Sequence, residues 1–119
     1  MKKIVIFGAG RSSTSLIEYL LSIAEEQNLL ITLLDYNEEL AKSKINNHKF
    51  GKAHFIDANN PHERLKFIKE SQRVISMLPA HMHLGIVKDA IHEKVHVITP
   101  SYVTAVSYTH LTLPTRFSV

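Results

Sequence analysis

The chain has 119 residues, 45% of them hydrophobic and 21% charged, which bounds it to one globular domain with one core. No apolar run approaches the roughly 20 residues of a membrane-spanning helix, the N-terminus enters a strand with no signal-peptide pattern, and the absence of cysteine excludes disulfides, thiolate metal sites and a cysteine nucleophile. The net charge of +3 is spread over fourteen basic and eleven acidic residues without a basic run, so a solvated surface on a cytoplasmic protein is expected, with neither nucleic acid nor membrane as partner.

Ile4-Val5-Ile6-Phe7 is a continuous apolar run, suited to a parallel strand covered on both faces. It leads into Gly8-Ala9-Gly10-Arg11-Ser12-Ser13 and then a helical pattern. Gly8 permits the tight turn, and Gly10 lacks the Cβ that would hold a pyrophosphate away from the backbone. The helix that follows turns its unpaired N–H groups and positive dipole end toward the same point, so the segment reads as a phosphate cradle. Ser13 stands where a third glycine is usual and is the next smallest polar choice.

From Ser15 to Gln27 the apolar residues Leu16, Ile17, Leu20, Leu21, Ile23 and Ala24 follow helical spacing, and Asn28 closes the helix. The next strand, Leu30 to Asp35, ends in a carboxylate about 20 residues beyond Ser13, where a dinucleotide-binding unit places the acid for its ribose hydroxyls. Asn37 caps a short polar helix with Leu40, Ala41 and Ile45 inward, ended by Asn46, Asn47 and Gly51. A brief third strand, Ala53 to Asp57, ends in another acid, readable as an adenine-side contact or as a turn former.

Asn60-Pro61-His62-Glu63 is the clearest helix start, with a cap, a proline at the first helical position and a glutamate able to reach back; Leu65 and Ile68 are expected inside. The fourth strand, Arg73 to Pro79, is stopped by the proline and expected beside the first strand, across the switch point where ligands bind, so its end from Leu78 to His81 should line the crevice. A helix with Leu84, Val87, Ala90 and Ile91 inward and a fifth strand, Val95 to Thr99, complete a βαβαβαβαβ order. The fold class is therefore α/β, a Rossmann-type doubly wound parallel sheet of about five strands, truncated on its C-terminal side. His48 and His54 stand singly, and His81 and His83 diverge at a helix start with no third ligand in view, so no metal is expected; a single histidine near the substrate is the alternative use of that pair.

Val74-Ile75-Ser76-Met77-Leu78-Pro79, the helix Ile86-Val87-Lys88-Asp89-Ala90-Ile91 and Val97-Ile98-Thr99-Pro100-Ser101-Tyr102-Val103, together with serine at the third glycine, resemble the N-terminal nucleotide-binding half of the saccharopine dehydrogenase (saccharopine reductase) family. The resemblance spans residues 1–105. It implies hydride transfer at the carbon–nitrogen bond of an amino-acid adduct by a nicotinamide cofactor, in lysine metabolism. Carried over by position, Gly8, Gly10, Arg11, Ser12 and Ser13 hold the pyrophosphate, Asp35 the adenosine ribose and Asp57 the adenine side. Leu78 and Pro79 then border the nicotinamide, and Ser101 and Tyr102 face the reacting centre. A carboxylate at Asp35 repels a 2′-phosphate, which favours NAD over NADP, with Arg11 or a nearby lysine as counterweight.

The ten residues Val106 to Thr115 resemble the translation of a transposase adapter used in making DNA sequencing libraries. On that reading residues 106–119 are not native, the natural protein is longer, and its substrate domain, with a homodimer contact in it, lies in the missing part. The piece alone is then inactive, with the outer edge of its fifth strand bare. A competing class is a nucleotide-sensing regulatory domain of the potassium-uptake type, which binds NAD or ATP without chemistry; a methyltransferase fits the Leu78-Pro79 and Ser101-Tyr102 segments less well.

Overall fold

The computed structural model describes residues 2–10, 13–78 and 80–99, less the side chains of residues 80, 81 and 83. In chain order the elements are β1 (Lys2–Phe7), α1 (Thr14–Gln27), β2 (Leu29–Asp35), α2 (Glu38–Ile45), β3 (Gly51–Phe55), α3 (Pro61–Lys69), β4 (Arg73–Ser76), α4 (Ala80–His92) and β5 (His96–Ile98). The strands form one sheet in the order β3-β2-β1-β4-β5, and every pairing is parallel. The expected doubly wound arrangement is thus the observed one, with the order reversing at β1.

Strand alternation divides the core. Ile4 and Ile6 of β1 turn to the face covered by α1 and α2, where Ile17, Leu21, Ala24, Ala41 and Ile45 meet Ile31 and Leu33. Val5 and Phe7 turn to the opposite face, against Ile68 of α3 and Ile86, Val87 and Ala90 of α4. Burial on both faces is why the strand needs four consecutive apolar residues, each contributing about 1.5–3 kcal/mol relative to exposure. Asn28 and Asn46 end α1 and α2 in the left-handed conformation that asparagine tolerates.

Several boundaries and faces differ from expectation. Gly51 opens β3 instead of closing the α2 segment, because it pairs with Ile31 of β2; a Cβ there would lie 2.9 Å from Ile45 Cγ2 and 3.0 Å from Leu21 Cδ2. β3 ends at Phe55, although the Ile56 amide still donates to the Asp35 carbonyl at 3.1 Å. β4 stops at Ser76, where its pairing with β1 runs out at Phe7. On α4 the buried stripe is Ile86, Val87 and Ala90, leaving Leu84 and Ile91 about 40% exposed, and Leu65 is only half-buried. At the sheet edge, Ile98 of β5 is 46% exposed.

Candidate functional site

The residues singled out for phosphate and ribose gather where the C-terminal ends of β1, β2, β3 and β4 meet. Gly8 follows β1 with φ of +107°, a conformation that L side chains rarely adopt. Its amide donates to the Leu34 carbonyl at 2.7 Å, and a Cβ would sit 3.1 Å and 3.2 Å from the Met77 carbonyl carbon and oxygen. The turn is thereby wedged between β2 and the end of β4. Gly10 is different: its φ is not in the positive region, and among the described residues a Cβ would meet nothing within 4 Å. Among the described residues, neither backbone strain nor packing asks for glycine at residue 10.

Ser13 is fully buried as the N-cap of α1, and its hydroxyl donates to the Gly10 carbonyl at 2.7 Å instead of accepting from the helix. The Ser13 amide donates to the same carbonyl at 3.0 Å, so the serine closes the turn from within. The first turn of α1 contains no acidic residue, which leaves its N-terminal dipole uncancelled.

Asp35 ends β2 with its carboxylate between two loops. Oδ1 accepts from the Ala9 amide at 3.0 Å and Oδ2 from the Asn37 amide at 2.8 Å. Asp57, beyond β3, takes part in the next loop, with Oδ1 accepting from the Asn59 amide at 3.0 Å while the Asp57 amide donates to Glu63 Oε1 at 3.2 Å. Between these loops lies a crevice of about 420 Å³ bordered by Asp35, Tyr36, Asp57, Asn59, Leu78 and Met82. Its floor is Phe7 and Leu34 at the ends of β1 and β2.

The structure therefore brings Gly8, Gly10, Ser13, Asp35, Asp57 and Leu78 to one edge of the sheet. Arg11, Ser12, Pro79, Ser101, Tyr102, the segment 106–119 and the side chains of His81 and His83 lie outside the described residues. Among the described residues no group of histidine and acidic side chains is arranged to hold a metal. No helix among them is long and apolar enough to cross a membrane.

Other residues at this edge escape a sequence reading. Tyr36 is 73% exposed and packs its ring 5.3 Å from that of Phe55, forming an aromatic wall beside Asp35. Arg64 of α3 donates from Nε to Asp89 Oδ2 of α4 at 2.6 Å and from Nη1 to the Ala58 carbonyl at 2.7 Å, tying the crevice loop to two helices. The one available signal is Gly85, where a Cβ would lie 3.2 Å from the Arg64 guanidinium carbon. Lys44 of α2 donates to the Thr14 hydroxyl in the first turn of α1, beside a second cavity of about 530 Å³ between the two helices.

Comparison with known proteins gives four findings. A family model described as the saccharopine dehydrogenase NADP binding domain matches residues 4–116. Saccharopine dehydrogenase [NADP(+), L-glutamate-forming] of Schizosaccharomyces pombe is 31% identical over 103 residues, which is 87% of this chain and 22% of that protein. Apo saccharopine dehydrogenase (L-Glu forming) from Saccharomyces cerevisiae superposes with a TM-score of 0.77 at 24% identity, over 86% of this chain and 22% of that one. A short-chain dehydrogenase/reductase from Veillonella parvula in complex with NADP shares the fold at a TM-score of 0.67 and 20% identity, over 95% of this chain and 57% of its own. This chain spans about a fifth of the length of the two saccharopine dehydrogenases. The preference for NAD drawn from Asp35 finds no support here, since the matching family is described by NADP.

Proposed function

The chain belongs to the saccharopine dehydrogenase NADP-binding domain family, and from that premise we propose that it is the cofactor-binding portion of a longer NAD(P)-dependent oxidoreductase. The proposed reaction is oxidation or reduction at the carbon–nitrogen bond of an amino-acid adduct, in the setting of lysine metabolism. The supporting observation is Gly10, a glycine that neither strain nor packing requires among the described residues, at the turn where β1 meets the N-terminus of α1. NAD(P), when bound, supplies or accepts the hydride. The residues present fit it: the turn from Gly8 to Gly10 at the N-terminus of α1 suits a pyrophosphate, the Asp35 carboxylate at the end of β2 suits the ribose hydroxyls, and the crevice beside Tyr36 and Asp57 suits an adenine.

The chain's own share is binding and orientation. The buried floor of Phe7 and Leu34 keeps water from beneath the crevice, and Leu78 borders its nicotinamide side. The amino-acid-derived substrate, the proton-transferring groups and a homodimer contact are assigned to the rest of the longer protein, which fits a span of about a fifth of its relatives. Turnover of saccharopine-type secondary amines by the intact parent, followed by nicotinamide absorbance, tests the reading. Hydride transfer that needs both NAD(P) and the amine supports it, whereas nucleotide binding by the parent without turnover of any such amine moves the assignment to a sensor domain.

A further inference from the structure

Resting on the dinucleotide reading above, we infer that Lys44 is a specificity-determining residue that lets this site take the 2′-phosphate of NADP. The passage from β2 into α2 offers no cation of its own, since Asp35 is followed by Tyr36, Asn37, Glu38 and Glu39. Lys42, further along α2, is paired with Glu38 at 3.4 Å. A phosphate on a ribose beside Asp35 therefore meets acidic charge and needs a positive group from another direction. α1 and α2 lie on one face of the sheet and both start at its C-terminal edge. The Asp35 carboxylate stands between those starts, accepting from Ala9 before α1 and from Asn37, the N-cap of α2. A 2′ substituent directed toward that face enters between the two helices.

Lys44 is placed to meet it. It belongs to the last turn of α2, where the negative end of the helix favours a cation, yet its half-buried side chain turns back toward the sheet edge. There Nζ donates to the hydroxyl of Thr14, the first residue of α1. The first turn of α1 holds no acidic residue, and among the described residues Lys44 has no ion-pair partner. Glu18, one turn along α1, borders the same cavity of about 530 Å³ without pairing with it. A cation against the positive end of a helix is disfavoured by the dipole and becomes favoured once an anion lies beside it. The Thr14 hydroxyl, accepting from the ammonium, keeps its own proton to donate to a phosphate oxygen.

Calorimetric titration of NAD and NADP into the 119-residue chain and its variants tests the assignment. Lys44→Met should weaken NADP roughly tenfold or more and leave NAD within about twofold, and Lys44→Arg, which keeps the charge, should restore most of the NADP affinity. In the wild-type chain, the Lys44 Cε resonance should shift on saturation with NADP and stay in place with NAD, a readout that depends on no variant. Unchanged NADP binding by Lys44→Met, with the Cε resonance unmoved, leaves the 2′-phosphate to another cation such as Arg11 and overturns the inference. An equal loss for both dinucleotides, or a wild-type chain that binds NAD alone, overturns it as well while the cofactor reading stands. A wild-type chain that binds neither overturns the cofactor reading and the inference with it.

Discussion

Replacing Gly8 and Gly10 one at a time with alanine separates folding from binding within a single turn. At residue 8 the new methyl group must accept φ of +107° and lie 3.1 Å from a main-chain carbon of Met77, which cannot swing aside as a side-chain tip does. Strain at such a dihedral costs about 1–3 kcal/mol, and overpacking against backbone adds about 1–3 kcal/mol. Gly8→Ala should therefore lower unfolding stability by about 2–6 kcal/mol, a large share of the roughly 5–15 kcal/mol typical of a domain. At residue 10 the methyl group meets no described atom within 4 Å and the dihedral is ordinary. Gly10→Ala should stay within about 0.5 kcal/mol of wild type, or gain slightly from a stiffer unfolded chain. Its NADP affinity should nevertheless fall roughly tenfold or more, because the methyl group stands where the proposed site brings the pyrophosphate closest. Urea unfolding followed by circular dichroism, with calorimetric titration of the same samples, reads both quantities. A Gly10→Ala variant as unstable as Gly8→Ala, or one that binds NADP as wild type does, refutes the reasoning.

Arg64→Met leaves the Asp89 carboxylate, 17% exposed, without its partner and frees the Ala58 carbonyl. Discounted for partial exposure, the loss should be about 2–3 kcal/mol in urea unfolding, and Asp89→Leu added to it should restore part. A single variant as stable as wild type would remove the pair from the account. Asn60→Ala removes a cap that accepts from His62 and Glu63 and donates to Glu63 Oε2, so it should cost about 1 kcal/mol and shift the thermal midpoint downward; an unchanged midpoint contradicts that capping role.

Much of the fold follows from local patterns. The apolar run of β1 reads as doubly covered because four consecutive side chains fill both faces, and Asn60-Pro61 marks the start of α3 through one cap and one fixed dihedral. Misreadings arise where two local solutions compete or where the decisive contact is distant. On α4, Leu84, Val87 and Ile91 form one helical stripe and Ile86, Val87 and Ala90 another; packing against Phe7 and Ile68 selects the second. The Arg64–Asp89 pair spans 25 positions on two amphipathic helices, where each charge alone reads as solvated. Position in the β2 exit makes Asp35 a candidate for the site, but its hydrogen bond from the Ala9 amide is a contact across the sheet that spacing does not reveal.

The central claim, a dinucleotide seated on the turn after β1, is tested most directly by titrating NADP into the isotopically labelled 119-residue chain and following backbone amide shifts. The account predicts saturable shifts centred on Gly8, Ala9, Gly10, Asp35, Asp57 and Leu78 around the 420 Å³ crevice. Shifts confined to Thr14, Ser43, Lys44 and His48 around the larger cavity between α1 and α2, or no shifts at saturating NADP, contradict it.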